Sequence, residues 1–245
     1  MRLKIGTFLM DMVFPKDIYC ISCGAPIKGG DPMSLCEECK KEILYRQPPV
    51  CRRCGRFTFK PGPGFCEGCA AREPVYDRGV AAVVYEGNVR TIIYGLKYGG
   101  KGYLAANIAA IMEPVLPPVD SYDIIVPVPM HKSKKKERGY CQTTLIARQL
   151  GKLTGQPVLE EGLVRTRKTK PMSGLHRDVR ARNIRGVFEA PEPERIRGKR
   201  VLLVDDLLTT GSTADECSRV LKQAGAASVS LAVFAATAPE REIYS

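Results

Sequence analysis

Residues 201–213, Val-Leu-Leu-Val-Asp-Asp-Leu-Leu-Thr-Thr-Gly-Ser-Thr, constrain the fold more tightly than any other stretch of the chain. The four apolar residues Val201 to Val204 suit a strand buried on both faces of a parallel sheet. Asp205 and Asp206 stand where that strand is expected to end, and a helical pattern runs from Ala214 to Lys222. A strand, a small-residue loop and a helix N-terminus together make an anion site, because unpaired backbone N–H groups and the helix dipole both favour negative charge there. The hydroxyls of Thr209, Thr210, Ser212 and Thr213, grouped around Gly211, can donate further hydrogen bonds. The two carboxylates can accept from a pair of neighbouring hydroxyls or help hold a hydrated Mg²⁺. A sugar phosphate supplies both a phosphate and a vicinal diol. An ordinary strand-to-helix turn with a polar N-cap explains one hydroxyl, not four beside two acids.

The order apolar strand, Asp-Asp, then Thr-Thr-Gly-Ser-Thr resembles the phosphoribosyl pyrophosphate (PRPP) signature of type I phosphoribosyltransferases. The resemblance implies that Asp205 and Asp206 hold the ribose hydroxyls. It also implies that Thr209, Thr210, Gly211, Ser212 and Thr213 cradle the 5′-phosphate.

From about residue 78 the chain alternates between strand and helix patterns. Strands are expected at 80–85, 124–128, 158–164, 187–188, 201–204 and 229–235, with helices at 89–98, 103–115 and 138–153. Such alternation predicts an α/β fold, a parallel sheet flanked by helices, whose ligands bind outside the carboxyl ends of the strands. Residues 166–182 are polar and basic and suit a mobile loop followed by a short helix.

The first part of the chain follows a different logic. Cys20 and Cys23, Cys36 and Cys39, Cys51 and Cys54, and Cys66 and Cys69 form four Cys-x-x-Cys pairs, arranged as two similar units. A two-residue spacer lets one tight turn present two thiolates to one metal, and four thiolates suit tetrahedral Zn²⁺. Gly24 and Gly55 follow the first pair of each unit, where such a turn calls for a permissive backbone. A disulfide framework suits an exported protein, and Met1 to Phe14 lacks the long uncharged core and cleavage site of a signal peptide. An iron–sulfur cluster also satisfies the spacing. Sequential pairing, one zinc per four cysteines, and interleaved pairing are both compatible with it. The expected division is therefore a double zinc-ribbon region over 1–77 and a phosphoribosyltransferase-like domain over 78–245, in a cytoplasmic protein with two structural Zn²⁺ ions.

The formal charge is +12, and eight thiolates with two Zn²⁺ lower it to roughly +8. The excess is local: residues 131–200 hold 19 Lys and Arg against 7 Asp and Glu. A basic zone of this kind attracts pyrophosphate, nucleotides or a nucleic-acid backbone, or is simply a solvated surface. Lys40, Lys41, Arg52, Arg53 and Arg56 lie next to cysteines in the sequence and are expected to offset the thiolate charge. After the strand at 124–128, residues 127–140 are rich in cations. His131, Lys132 and Arg138 are the pyrophosphate candidates there, with Arg138 expected at the start of the following helix. Lys134 to Lys136 read as a solvated run.

Taken in order, the chain resembles the ComF family of competence-associated phosphoribosyltransferases. The resemblance rests on Asp11-Met12-Val13-Phe14-Pro15 before the cysteine pairs, Leu96-Lys97-Tyr98, Pro127-Val128-Pro129, Arg138-Gly139-Tyr140, Arg180 and Asn183 before Gly186-Val187-Phe188, and the Asp-Asp segment. It implies displacement of pyrophosphate from Mg²⁺-bound PRPP by a nitrogen acceptor, in association with DNA uptake during natural transformation. It adds Lys97 to the pyrophosphate candidates and makes Asp205, Asp206 and Arg138 the catalytic ones. The chain departs from the family pattern at Cys141 and Met172, which puts acceptor contacts in doubt more than PRPP binding. Thr209 stands where purine-salvage enzymes often carry an acid, so an amine-like acceptor stays open. Two other readings accompany the enzyme: a regulator that binds PRPP or a nucleotide without chemistry, and a zinc-ribbon adaptor contacting single-stranded DNA or a DNA-uptake helicase.

Overall fold

The strand that begins with Val201 to Val204 is longer than its apolar run predicts. A computed structural model describes residues 18–43, 50–58, 64–167 and 182–237. In it β5 spans Arg200–Leu208 and carries both aspartates within the strand. The extension is held by its neighbour β6 (Ser228–Ala236), whose ladder continues past the acids through Asp205↔Val233 and Leu208↔Ala236. With β1 (Arg78–Val84) and β2 (Ile124–Pro127), these strands form a four-stranded parallel sheet in the order β1-β6-β5-β2.

The continuous apolar strands are buried on both faces, as a parallel sheet requires. Successive side chains alternate faces. Leu202 and Val204 share one core cluster with Ile125 and Phe234. Against that face pack α3 (Gly87–Tyr98), α4 (Leu104–Met112) and α6 (Gln142–Thr154). Val201 and Leu203 belong to a second cluster with Cys217 and Leu221 of α7 (Ser212–Gln223).

That second face is completed by cysteine-bearing chain: Cys51, Cys54, Cys66 and Phe57 share its core with Leu203 and Leu231. Two short helices follow cysteines in this part of the molecule, α1 (Glu37–Ile43) and α2 (Glu67–Ala71). The unit around Cys51 leans directly on edge strand β1, where the Gly79 amide donates to the Arg53 carbonyl at 2.7 Å. A Cβ at Gly55, which sits at φ +70°, would come within 2.5 Å of Gly79 and Val80 backbone atoms. The unit around Cys20 packs on the opposite face, through Leu35, Cys39 and Ile43. The Asn107 amide of α4 donates to the Pro32 carbonyl at 3.0 Å and to Ser34 Oγ at 2.9 Å. The two units thus cover both faces beside edge strand β1, and the second also takes up the edge amide of Gly79.

Two expected elements are rearranged. The helix expected over 138–153 begins only at Gln142, as α6, and a separate short helix, α5 (Lys132–Arg138), precedes it and is ended by Gly139 at φ +85°. Arg138 therefore stands at a helix C-terminus rather than at the start of the next helix. The strand expected over 158–164 is reduced to one bridge, Ile125↔Val158, before a turn in which the Gly162 amide donates to the Leu159 carbonyl at 3.2 Å. The chain then forms a small antiparallel pair, β3 (Val164–Arg165) with β4 (Phe188–Glu189). The N-terminal lead-in and most of the basic loop, including Met172 and Arg180, lie outside the described residues. Among the described residues no helix is long and apolar enough to cross a membrane.

Candidate functional site

A cleft of about 730 Å³ opens at the carboxyl ends of β5 and β2, with α3 as one wall. Six of the sequence candidates line it: Lys97, Arg138, Asp205, Asp206, Thr209 and Thr213. Alternation along β5 separates the two acids. Asp206 lies toward α3, where its Oδ1 meets Lys97 Nζ at 2.9 Å, with only 4% of the acid's side chain exposed. Asp205 lies toward Arg165 and Cys217, and its Oδ1 accepts from the Asp206 amide at 2.8 Å.

The electrostatics follow from this placement. Burial, and then the neighbouring Asp206 charge, push the Asp205 carboxyl up to about 7. Burial acts to lower the Lys97 ammonium, but the charges of Asp206 and Asp205 outweigh it and hold the ammonium above its ordinary value. Asp206 Oδ2 is buried and has no hydrogen-bond partner among the described residues. An open acceptor of this kind suits a sugar hydroxyl or a water molecule on a divalent cation.

The phosphate-loop candidates divide among neighbouring surfaces. Thr213 faces the cleft, Thr210 and Gly211 line a smaller cavity of about 260 Å³ shared with Cys54, Cys66 and Cys69, and Thr209 borders both. Gly211, at φ +84°, turns the chain into α7, and Ser212 is buried beside Thr210, their hydroxyls 3.1 Å apart. The Arg56 guanidinium donates to the Thr209 carbonyl, tying the second cysteine unit to this loop.

Of the basic candidates, Arg138 reaches the cleft, its Nη1 donating to Gln142 Oε1 at 2.5 Å and its guanidinium lying 5.2 Å from the Tyr98 ring centroid. His131 does not line the cleft. It caps α5, accepting from the Ser133 amide at 3.2 Å. Lys132 is exposed outside the cleft, whereas Lys134, read from sequence as solvated, lines it. Tyr94 and Thr143 also reach the cleft without having been singled out from the sequence. Tyr94 was legible as one member of a helical stripe with Arg90, Lys97 and Tyr98; the Arg56 contact is separated by 153 residues and left no local sign.

The eight paired cysteines form two sets, Cys20, Cys23, Cys36 and Cys39, and Cys51, Cys54, Cys66 and Cys69. Within each set the sulfurs lie inside 4.8 Å of one another, so the pairing is sequential. Cys23 and Cys36 Sγ are 3.7 Å apart, as are those of Cys54 and Cys66. A tetrahedron with Zn–S bonds of about 2.3 Å has S–S edges of about 3.8 Å, so the sets fit Zn²⁺. The Cys66 sulfur, followed by burial, drives the Cys54 thiol far above its ordinary range, so the set resists becoming four thiolates without a cation. The basic residues expected to balance these sulfurs are partly engaged elsewhere. Lys40 pairs with Asp31 and Glu37, Lys41 with Glu38, and Arg53 with Glu73.

Residues 9–71 match the double zinc ribbon domain, and residues 143–243 match the phosphoribosyl transferase domain. Competence protein F of Haemophilus influenzae is 28% identical over 216 residues, covering 84% of this chain and 91% of that protein. The DNA utilization protein YhgH of Salmonella typhimurium is 28% identical over 201 residues, 80% of this chain and 87% of its own length. Competence protein ComFC of Bacillus subtilis is 24% identical over 207 residues, 80% and 81% of the two chains. With its cysteine sets followed by a parallel sheet that carries the Asp-Asp cleft, the chain is a homologue of competence protein F, ComFC and YhgH.

Proposed function

We propose that this protein is a phosphoribosyltransferase that takes PRPP with Mg²⁺ and a nitrogen acceptor, and that it serves the handling of incoming DNA. The observation that carries the reading is the convergence of Asp205, Asp206, Lys97, Arg138, Thr209 and Thr213 on one cleft at the carboxyl edge of the sheet. The link to DNA rests on the names of the relatives, competence protein F and DNA utilization protein YhgH.

In this reading the loop hydroxyls and the α7 N-terminus hold the 5′-phosphate, while Asp205 and Asp206 accept from the ribose diol. Lys97 holds Asp206 in place and keeps positive charge beside the diol. Arg138, with Lys134 and Arg165 on the same cleft, balances the charge of the departing pyrophosphate. The acceptor nitrogen forms a bond to C1 as the C1–O bond breaks. That bond's electron pair leaves with pyrophosphate, and the nitrogen's proton passes to water. Mg²⁺ bound with the donor would neutralise the pyrophosphate oxygens, and the open Asp206 Oδ2 is the oxygen here that suits its hydration shell.

Calorimetric titration of Mg²⁺ and PRPP into wild type and Asp205→Asn/Asp206→Asn tests the site. Binding is expected in the former and loss of binding in the latter, with circular dichroism unchanged. Unchanged PRPP binding by the double variant would refute the assignment. Pyrophosphate release with an acceptor supports a transferase; binding without release for every acceptor supports a regulator.

A further inference from the structure

We infer that a second cavity, which shares no lining residue with the cleft, binds a linked chain of phosphates. It has a volume of about 310 Å³ and lies where three distant parts of the chain meet. Arg72 comes from the end of α2 in the second cysteine unit, Arg182 and Arg185 from the segment before β4, and Asp215, Glu216 and Arg219 from α7. Four guanidiniums thus face two carboxylates. Positive groups gathered in this way repel one another and attract an anion.

Both acids are already engaged. Glu216 is buried, and its Oε1 accepts from the Gly186 amide at 2.6 Å. Arg219 closes on both of its oxygens, Nη2 to Oε1 at 2.6 Å and Nε to Oε2 at 2.9 Å. This two-pronged pair cancels its own charge. Asp215 Oδ1 accepts from the Val75 amide at 2.9 Å, which fastens the chain after Arg72 to α7. Arg72, Arg182 and Arg185 are exposed and form no ion pair among the described residues. Three guanidiniums therefore stand against the single charge of Asp215.

The backbone that presents them is fixed. Gly186, at φ +65°, gives its amide to Glu216, and the carbonyls of Arg185 and Gly186 accept from Arg167 Nη2 at 3.1 and 2.9 Å. A site on backbone already held in place loses less freedom when a ligand arrives.

The ligand follows from the shape of the donors. A guanidinium presents paired N–H groups as a planar fork. A carboxylate has two oxygens in one plane and satisfies one such fork well. Forks arriving from separate elements need oxygens on several sides, which tetrahedral phosphates supply. The volume holds on the order of ten water molecules, room for two or three linked phosphates rather than one.

Calorimetry with inorganic tripolyphosphate, without Mg²⁺, tests the site on the full-length zinc-bound protein. Citrate, a tricarboxylate, controls for charge. Wild type is expected to bind tripolyphosphate about tenfold or more tightly than citrate. Arg72→Gln/Arg185→Gln should weaken that binding about tenfold or more with circular dichroism unchanged, whereas Arg138→Gln, on the cleft, should retain it. ATP separates two sources of the same chemistry: tighter binding than tripolyphosphate names a nucleotide, and no tighter binding names the free chain. No binding by wild type, equal affinity in Arg72→Gln/Arg185→Gln, or no preference over citrate overturns the inference. So does loss in Arg138→Gln alone, which assigns the anion to the cleft. Binding that depends on Arg72 and Arg185 but is seen only with a single-stranded oligonucleotide also overturns it, and gives the cavity to a nucleic-acid backbone.

Discussion

Asp205→Asn should make the protein more stable at pH 8 and not at pH 4. The carboxyl is held at about 7 in the folded chain, against an ordinary value of 3.8, because burial and Asp206 disfavour its charge. The folded state therefore binds this proton more tightly than the unfolded state does. The stability this contributes is complete below about pH 4 and is lost progressively as pH rises through about 7. A displacement of about three pH units corresponds to roughly 4 kcal/mol at full ionisation, and sharing between the coupled acids reduces the single-site effect to the order of 2–4 kcal/mol. Asparagine keeps the Oδ1 that accepts from the Asp206 amide and carries no charge to bury. For a chain of this size, 2 kcal/mol moves the melting midpoint by roughly 4–8 °C. Thermal melts followed by circular dichroism at pH 4, 6 and 8 read the effect directly. The variant should melt above wild type at pH 8, and the gap should close toward pH 4. A variant destabilised equally at every pH would refute the reasoning, since it would mean that Asp205 is needed for packing rather than strained by its charge.

Two further outcomes follow from the contacts of the site. Lys97→Met leaves the Asp206 carboxylate buried without its ion pair, a loss on the order of 3–5 kcal/mol, and adding Asp206→Asn should recover most of it; denaturant titration of the three variants checks this, and additive losses would show that the pair is not coupled. Removing zinc with a strong chelator should unfold the cysteine units first, and should also weaken PRPP binding by tenfold or more, on the order of 1.4 kcal/mol, because Cys51, Cys54 and Cys66 share a core with the sheet and Arg56 holds the Thr209 carbonyl; circular dichroism and calorimetry on the chelated protein measure both, and an unchanged spectrum would refute the zinc assignment.

What could be read from the sequence was local chemistry. The Cys-x-x-Cys pairs announced two metal units, since the spacing alone allows one turn to present two sulfurs. The order Val201 to Thr213 announced a strand, two acids and a hydroxyl-rich turn into a helix, because each step depends on neighbours in the chain. Lys97 was named through the Leu96-Lys97-Tyr98 resemblance, without its partner. The helix over 138–153 was misjudged at its start because periodicity runs across Gly139, and only the backbone angle of that glycine shows the break.

By itself, then, the order of residues determined the cysteine pairs, the alternation of strands and helices, and the inventory of groups at the phosphate-binding turn, while the grouping of the pairs into two sets of four came from the structure. The tertiary structure decided where those groups point. Parallel pairing with β6 carries β5 past its apolar run, and strand alternation then sends Asp205 toward Arg165 and Asp206 toward Lys97. Sheet packing also brings the second cysteine unit against the turn at Thr209, joining residues 153 positions apart. Spacing along a chain encodes turns and periodicity, whereas register between strands and the choice of packing face arise from the whole core settling at once.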